Sequence, residues 1–308
     1  MNITPFTFPS HTGTGEIHGN RYLPEDGRFD TVMAIHHGMA EHQKRYIDFI
    51  RFLTERGIGV YMHDMAGHGE SVSDPALTGW FGPADGWEGL ILDFRETVRR
   101  AKEENPDRKL IVMGHSMGSF ICRVYTSRYP EDGFRAAIYM GTGGPNPAAG
   151  AGLMLSAAIG AIRGKQHRSG MIDRIAFGSY GKRFEGRTGF DWLTRDTGIV
   201  DRYIADPLCG FPFTVQGMND LIRVNAASNT VEWARGVPAG LPILLISGGM
   251  DPVGDYGEGV RTVERILKES GHTGVTVKLY PDDRHEVLNE LNRDEVMNDI
   301  AGWIAAAE

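Results

Sequence analysis

Leu110-Ile111-Val112-Met113-Gly114-His115-Ser116-Met117-Gly118-Ser119 decides how this chain is read. An apolar, β-branched run gives way to Gly-His-Ser-Met-Gly, and Phe120 to Tyr129 then suits a helix. Strand, sharp turn and helix with a serine at the apex is the nucleophile-elbow pattern Gly-x-Ser-x-Gly. Glycines two positions to either side of the serine leave room for a neighbouring strand and helix. Such a turn holds the hydroxyl above a sheet edge at a helix N-terminus, where free N–H groups and the helix dipole favour developing negative charge. The pentapeptide alone fits an ordinary glycine-rich turn equally well. The flanking strand and helix favour the nucleophile.

Outward from the elbow, strand and helix patterns alternate. Thr4 to Pro9 and Glu16 to Leu23 read as strands joined by the Gly13-Thr14-Gly15 turn. Thr31 to His36 and Gly59 to His63 are further strands. Tyr46, Phe49, Ile50 and Leu53 recur at helical spacing between them. Trp87 to Glu104 reads as an amphipathic helix stopped by Asn105-Pro106. Arg135 to Met140, Pro242 to Ser247 and Val275 to Tyr280 are later strands, with helices predicted over Tyr256 to Ser270 and Glu295 to Ala306. This alternation predicts an α/β fold: a mostly parallel, eight-stranded sheet with helices on both faces.

The pattern breaks from 143 to 236, which carries 11 basic and 8 acidic residues against a net −8 for the whole chain. We read 143–236 as a cap inserted over the C-terminal edge of a core made of 1–142 and 237–308. Short helical runs are predicted there over Leu153 to Ile162, Met171 to Gly178 and Phe213 to Val224. Leu153, Met154, Leu155, Ile159 and Ile162 suit the wall of an acyl tunnel or a buried cap helix. The cap's arginines suit a negative membrane surface, hence peripheral membrane contact, or a solvated face.

At 41% hydrophobic and 23% charged, the 308 residues have an ordinary globular composition, and the acidic balance argues against nucleic-acid binding. Cys122 and Cys209 make no disulfide framework. The opening Met1-Asn2-Ile3-Thr4-Pro5 has neither a basic nor an apolar leader segment, which predicts a cytoplasmic protein.

A serine hydroxyl needs a base, and the base needs an orienting carboxylate. In this kind of sheet the chain order is serine, acid, histidine. Asp251 follows the strand ending Leu244-Leu245-Ile246-Ser247, and His285 follows the next strand. All three then meet at one rim of the sheet. Taken singly, Asp251 also suits a turn before Pro252, and His285 a surface loop. Among rival acids, Asp255 lies a helical turn too late, while Asp282 and Asp283 sit too close to His285. The rival bases His36, His37, His42, His63 and His68 all precede the serine. The oxyanion needs two backbone donors. Met117 N–H and Met39 N–H are the candidates, with Gly38 allowing close approach. The early histidines with Asp64 fit no familiar metal-ligand spacing, so no metal and no cofactor are expected.

His37-Gly38-Met39-Ala40-Glu41-His42 with Arg45-Tyr46, Gly67-His68-Gly69-Glu70-Ser71, Gly114 to Gly118, Gly249-Met250-Asp251-Pro252-Val253 and His285 to Glu290 together carry a resemblance. The chain resembles the monoacylglycerol lipase and lysophospholipase-like (serine aminopeptidase S33-type) group of the α/β-hydrolase superfamily. The resemblance implies a serine ester hydrolase with Ser116, Asp251 and His285 as its triad, and a single-chain acyl ester as its small-molecule substrate. Short-chain carboxylesterases and peptidases share that triad, and the fold also serves non-catalytic binding proteins. Two residues depart from the group: Met39, where small residues are frequent, and Ser119, where a second glycine is common.

Overall fold

The computed structural model describes residues 1–307. Its strands are β1 Asn2–Pro9, β2 Glu16–Leu23, β3 Thr31–His36, β4 Ile58–His63, β5 Lys109–His115, β6 Ala136–Met140, β7 Ile243–Gly248 and β8 Val275–Tyr280. They form one sheet in the order β1-β2-β4-β3-β5-β6-β7-β8. β2 pairs antiparallel with β1 and with β4, and every later pairing is parallel.

The central strands are apolar on both faces because helices cover both. Side chains alternate along a strand, so each strand feeds two cores. Val32, Ala34, Leu110 and Val112 pack against α2 Gly86–Glu104, α3 Met117–Arg128 and α9 Glu258–Glu269. Met33, Ile35, Ile111 and Met113 pack against α1 Ile47–Thr54 and α10 Arg293–Ala306. Between β6 and β7 lie α4 Ala149–Arg163, α5 Gly170–Phe177, α6 Thr197–Ala205, α7 Val215–Ala227 and α8 Val231–Gly236.

Two of those helices, α6 and α8, lie where no helix is expected from the sequence. Both are short and are set by their caps. Asp196 accepts the Gly198 and Ile199 N–H groups, and Thr230 accepts that of Trp233. α8 buries Trp233 and Ala234 in the core, between α3 and α9. α4 is divided: Leu155 and Ile159 are half-buried and pack against the core, while its other side is open. Only Ser156 is buried, while Met154 and Ile162 stand 76% and 81% exposed. No helix among the described residues is long and apolar enough to cross a membrane.

Candidate active site

Register brings the site together. His36 at the end of β3 pairs with Gly114 in β5, and His115 pairs with Met140 at the end of β6. The loops after β3, β5, β6, β7 and β8 therefore share one edge.

Ser116 turns the chain from β5 into α3 with φ +54° and ψ −123°. A non-glycine residue held there stores strain of about 1–3 kcal/mol. The flanking glycines are required by contact. A Cβ on Gly114 would overlap the Gly118 carbonyl, and one on Gly118 would overlap the His36 and His37 carbonyls. Ser116 N–H is anchored on Met140 O at 2.9 Å. Ser119 ties the turn to the loop after β6. Its hydroxyl donates to Ser116 O at 2.6 Å and lies 2.8 Å from the Thr142 hydroxyl.

Asp251 and His285 are both buried, and His285 Nδ1 lies 3.0 Å from Asp251 Oδ1. Asp251 also accepts Val253 N–H at 2.8 Å and Ser247 Oγ–H at 3.1 Å, so both carboxylate oxygens are fixed. The rivals are engaged elsewhere or turned outward. Asp282 is exposed. Asp283 pairs with Arg195 at 2.5 Å. Burial and the neighbouring Glu290 push its carboxyl up to about 6, against the pull of Arg195. A segment before α6 covers the histidine loop: His285 N–H donates to Trp192 O at 3.3 Å and Glu286 N–H to Leu193 O at 2.8 Å. The Trp192 ring stands 5.2 Å from the His285 ring.

The loop after β3 leaves Met39 N–H open while the N–H groups on either side of it are bonded. Gly38 N–H is taken by Glu41 Oε1 at 2.7 Å and Ala40 N–H by His68 Nε2 at 3.1 Å. Between them, Met39 N–H has no protein acceptor among the described residues. Met117 opens α3, so its N–H lacks a partner within the helix. A Cβ on Gly38 would come within 3.0 Å of Ser116 Cβ, which accounts for the glycine.

Glu41 and Arg45, which the sequence offers without a role, support this loop from behind. Arg45 donates to Glu41 at 2.8 Å and to both oxygens of Glu286 at 2.6 and 2.7 Å. Burial by itself would raise the Glu41 carboxyl. The bond from His115 and the charge of Arg45 outweigh it and hold Glu41 well below the carboxylate range. Burial likewise opposes charge on His115, but the bonded Glu41 carboxylate outweighs it and raises His115 above the ordinary histidine value.

The remaining histidines are structural. His37 Nε2 accepts Met65 N–H at 2.9 Å, and His63 Nδ1 meets Thr97 at 2.8 Å. Burial, followed by the cost of placing a second positive ring beside His37, lowers His63 and His68 to about 3. Burial and the neighbouring His63 keep His36 neutral, and burial also lowers His37. His42, Asp206 and Cys209 bring one ligand atom each within 4.8 Å of one another, yet His42 and Asp206 are already bonded at 3.0 Å.

Known proteins match this architecture along the whole chain. The family model described as serine aminopeptidase, S33, matches residues 27–292. A monoacylglycerol lipase of Mycolicibacterium smegmatis is 27% identical across 89% of this chain and 88% of its own. A thermostable carboxyl esterase from Bacillus coagulans, solved with glycerol, superposes with a TM-score of 0.93 at 30% identity, covering 100% of this chain and 99% of that one. A soluble variant of the Saccharomyces cerevisiae monoglyceride lipase shares the fold, with a TM-score of 0.75 at 16% identity over 95% of this chain and 92% of that one. With the family match running through both halves of the sheet, the chain belongs to the serine aminopeptidase S33 family and is an ester-cleaving hydrolase of the α/β-hydrolase fold.

Proposed function

We propose that the protein is a serine hydrolase that cleaves carboxylic esters of single-chain acyl lipids, monoacylglycerols or lysophospholipids, through an acyl-enzyme intermediate. The observation that carries this reading is the buried Asp251–His285 pair, bonded at 3.0 Å on the sheet edge where Ser116 tops its strained turn. In the mechanism, Asp251 holds the Nδ1–H tautomer, which leaves Nε2 of His285 free to take the Ser116 proton. Ser116 Oγ attacks the ester carbonyl while Met39 and Met117 N–H hold the oxyanion. His285 returns the proton to the leaving alcohol, then activates water to release the acid. The cap is drawn from residues 143–236, ahead of α8, which packs into the core. Within it, α4 is uncharged from Ala149 to Ile162, and its exposed Met154 and Ile162 meet the lipid surface from which substrate enters.

One relative favours a second reading, a short-chain carboxylesterase: the Bacillus protein of TM-score 0.93 is named a carboxyl esterase. Turnover across p-nitrophenyl esters and monoacylglycerols of increasing chain length separates the two. Rising kcat/KM toward long monoacylglycerols supports the lipid reading. Maximal turnover on acetyl esters, with none on long monoacylglycerols, supports the other.

A further inference from the structure

Beside Ser116 stands a second ring, His115, which the mechanism leaves unused. It is buried, and each of its nitrogens faces specified atoms. Nδ1 lies 3.2 Å from Glu41 Oε1 and 3.0 Å from the Tyr46 hydroxyl, which itself donates to Glu41 Oε1 at 2.8 Å. Nε2 lies 3.3 Å from the main-chain carbonyl of His285. Carbonyls and carboxylates only accept hydrogen bonds. With the Tyr46 proton on Glu41, both ring nitrogens must carry hydrogen to make the bonds on offer, and that ring is an imidazolium. The space is kept open for it. A Cβ on Gly141 would come within 3.1 Å of His115 Nε2 and 3.2 Å of His285 Cε1, and one on Gly38 within 3.3 Å of His115 Nδ1. The two histidine rings consequently pack 4.8 Å apart.

We propose that His115 is a positioning residue: an imidazolium that bridges Glu41 and the His285 carbonyl, and so locks the loop bearing Met39 to the loop bearing His285 behind Ser116. The proposal rests on Ser116, Asp251 and His285 being the catalytic set. Glu41 is the hinge of the arrangement. By occupying Gly38 N–H at 2.7 Å it leaves Met39 N–H as the donor the loop presents. Arg45 makes a parallel tie from Glu41 to Glu286, the residue after His285. The titratable and charged groups facing His115 are thus Glu41, Tyr46, Arg45, Glu286 and His285. A neutral His115 would instead donate from Nε2 and take the Tyr46 proton at Nδ1. Its bond to Glu41 would then be lost, and the two loops would no longer be joined through the ring.

Nitrogen NMR of the imidazole rings decides the charge state, with His115 assigned in the unsubstituted protein by its through-space contacts to the His285 ring. At a pH of about 7.5, a full unit above the ordinary histidine value, both His115 nitrogens are expected to carry protons. In Glu41→Gln the ring is expected to be neutral at that pH. A neutral His115 in the unsubstituted protein, or a ring still charged in Glu41→Gln, overturns the proposal. Kinetics supply the second arm. His115→Gln is expected to lower kcat on a soluble short-chain ester by about tenfold to a hundredfold, through misplacement of the oxyanion donor, with KM changed less than about twofold. A kcat within about twofold of the unsubstituted protein overturns it, as does a loss carried by KM alone. A fluorophosphonate probe is applied to the unsubstituted protein in parallel. Failure to label Ser116 overturns the catalytic reading and this proposal with it, whereas a labelled Ser116 beside a neutral His115 overturns this proposal alone.

Discussion

Asp251 divides its two oxygens among three donors, Ser247, Val253 and His285, within a fully buried setting. In the proposed mechanism its role is to choose the histidine tautomer and to stabilise the imidazolium that forms during turnover. Asp251→Asn keeps the shape and loses both functions. It should lower kcat by about four orders of magnitude at neutral pH while circular dichroism stays unchanged. Activity within about tenfold of the unsubstituted protein would remove Asp251 from the mechanism. At this scale the sequence is most informative where a signal is local. The glycines flanking Ser116 and the strand ends before Asp251 and His285 are readable because each depends on a few neighbouring residues. Glu41 and His115 carry no such signal. They stand 74 residues apart and acquire a role only when β3 and β5 bring them within 3.2 Å.

Among the elements, α4 asks most for an explanation. A helix of 15 residues whose one charge, Arg163, sits in its last turn buries Ser156 and leaves Met154 and Ile162 to solvent. Exposed side chains of this kind contribute little to folding. Replacing both by glutamate should leave the thermal midpoint within about 2 °C, and short-ester turnover unchanged. Sedimentation with anionic vesicles and turnover on dispersed monoacylglycerol should both fall, by about tenfold. Equal losses on soluble and dispersed substrates would place α4 in the acyl pocket instead. The five central strands were legible as continuous apolar runs bounded by turn residues, and β1, β2 and β8 as shorter β-rich stretches between turns. α6 and α8 were not, because helices of nine and six residues give periodicity too few turns to register. Their visible marks, Asp196 and Thr230 as N-caps, are single residues that also suit loops.

Over the whole molecule, the two-faced sheet encloses four neutral histidines, His36, His37, His63 and His68. Two of them accept backbone N–H bonds that a protonated ring would break, from Met65 to His37 and from Ala40 to His68. Unfolded, these rings protonate below about pH 6.5. Folded, His63 and His68 resist protonation down to about 3. Between those limits the unfolded chain binds more protons, so stability falls as pH falls. His63 and His68 together cost about 3 kcal/mol per pH unit there. Glu41, held low, adds to the loss only below the ordinary carboxylate value. His115, raised, contributes fully below about 6.5 and loses its contribution as pH rises above it. Urea unfolding at pH about 7, 6 and 5 should show that fall, and His63→Gln, which removes one of the four rings, should reduce its slope by about a quarter. A free energy flat from pH 7 to 5 would mean that these rings are protonated in the fold. That strand and helix cease to alternate between β6 and β7, where five helices follow one another, was readable from the sequence. Which histidines are inside was not, because burial is a property of the assembled sheet.

The most direct test of the account as a whole is the site of covalent modification. After reaction with a fluorophosphonate, peptide mass mapping should find one adduct per chain, on Ser116. Prior incubation with monoacylglycerol should slow its formation, and Ser116→Ala should neither label nor hydrolyse esters. An adduct on another residue, or ester hydrolysis that survives Ser116→Ala, would contradict it.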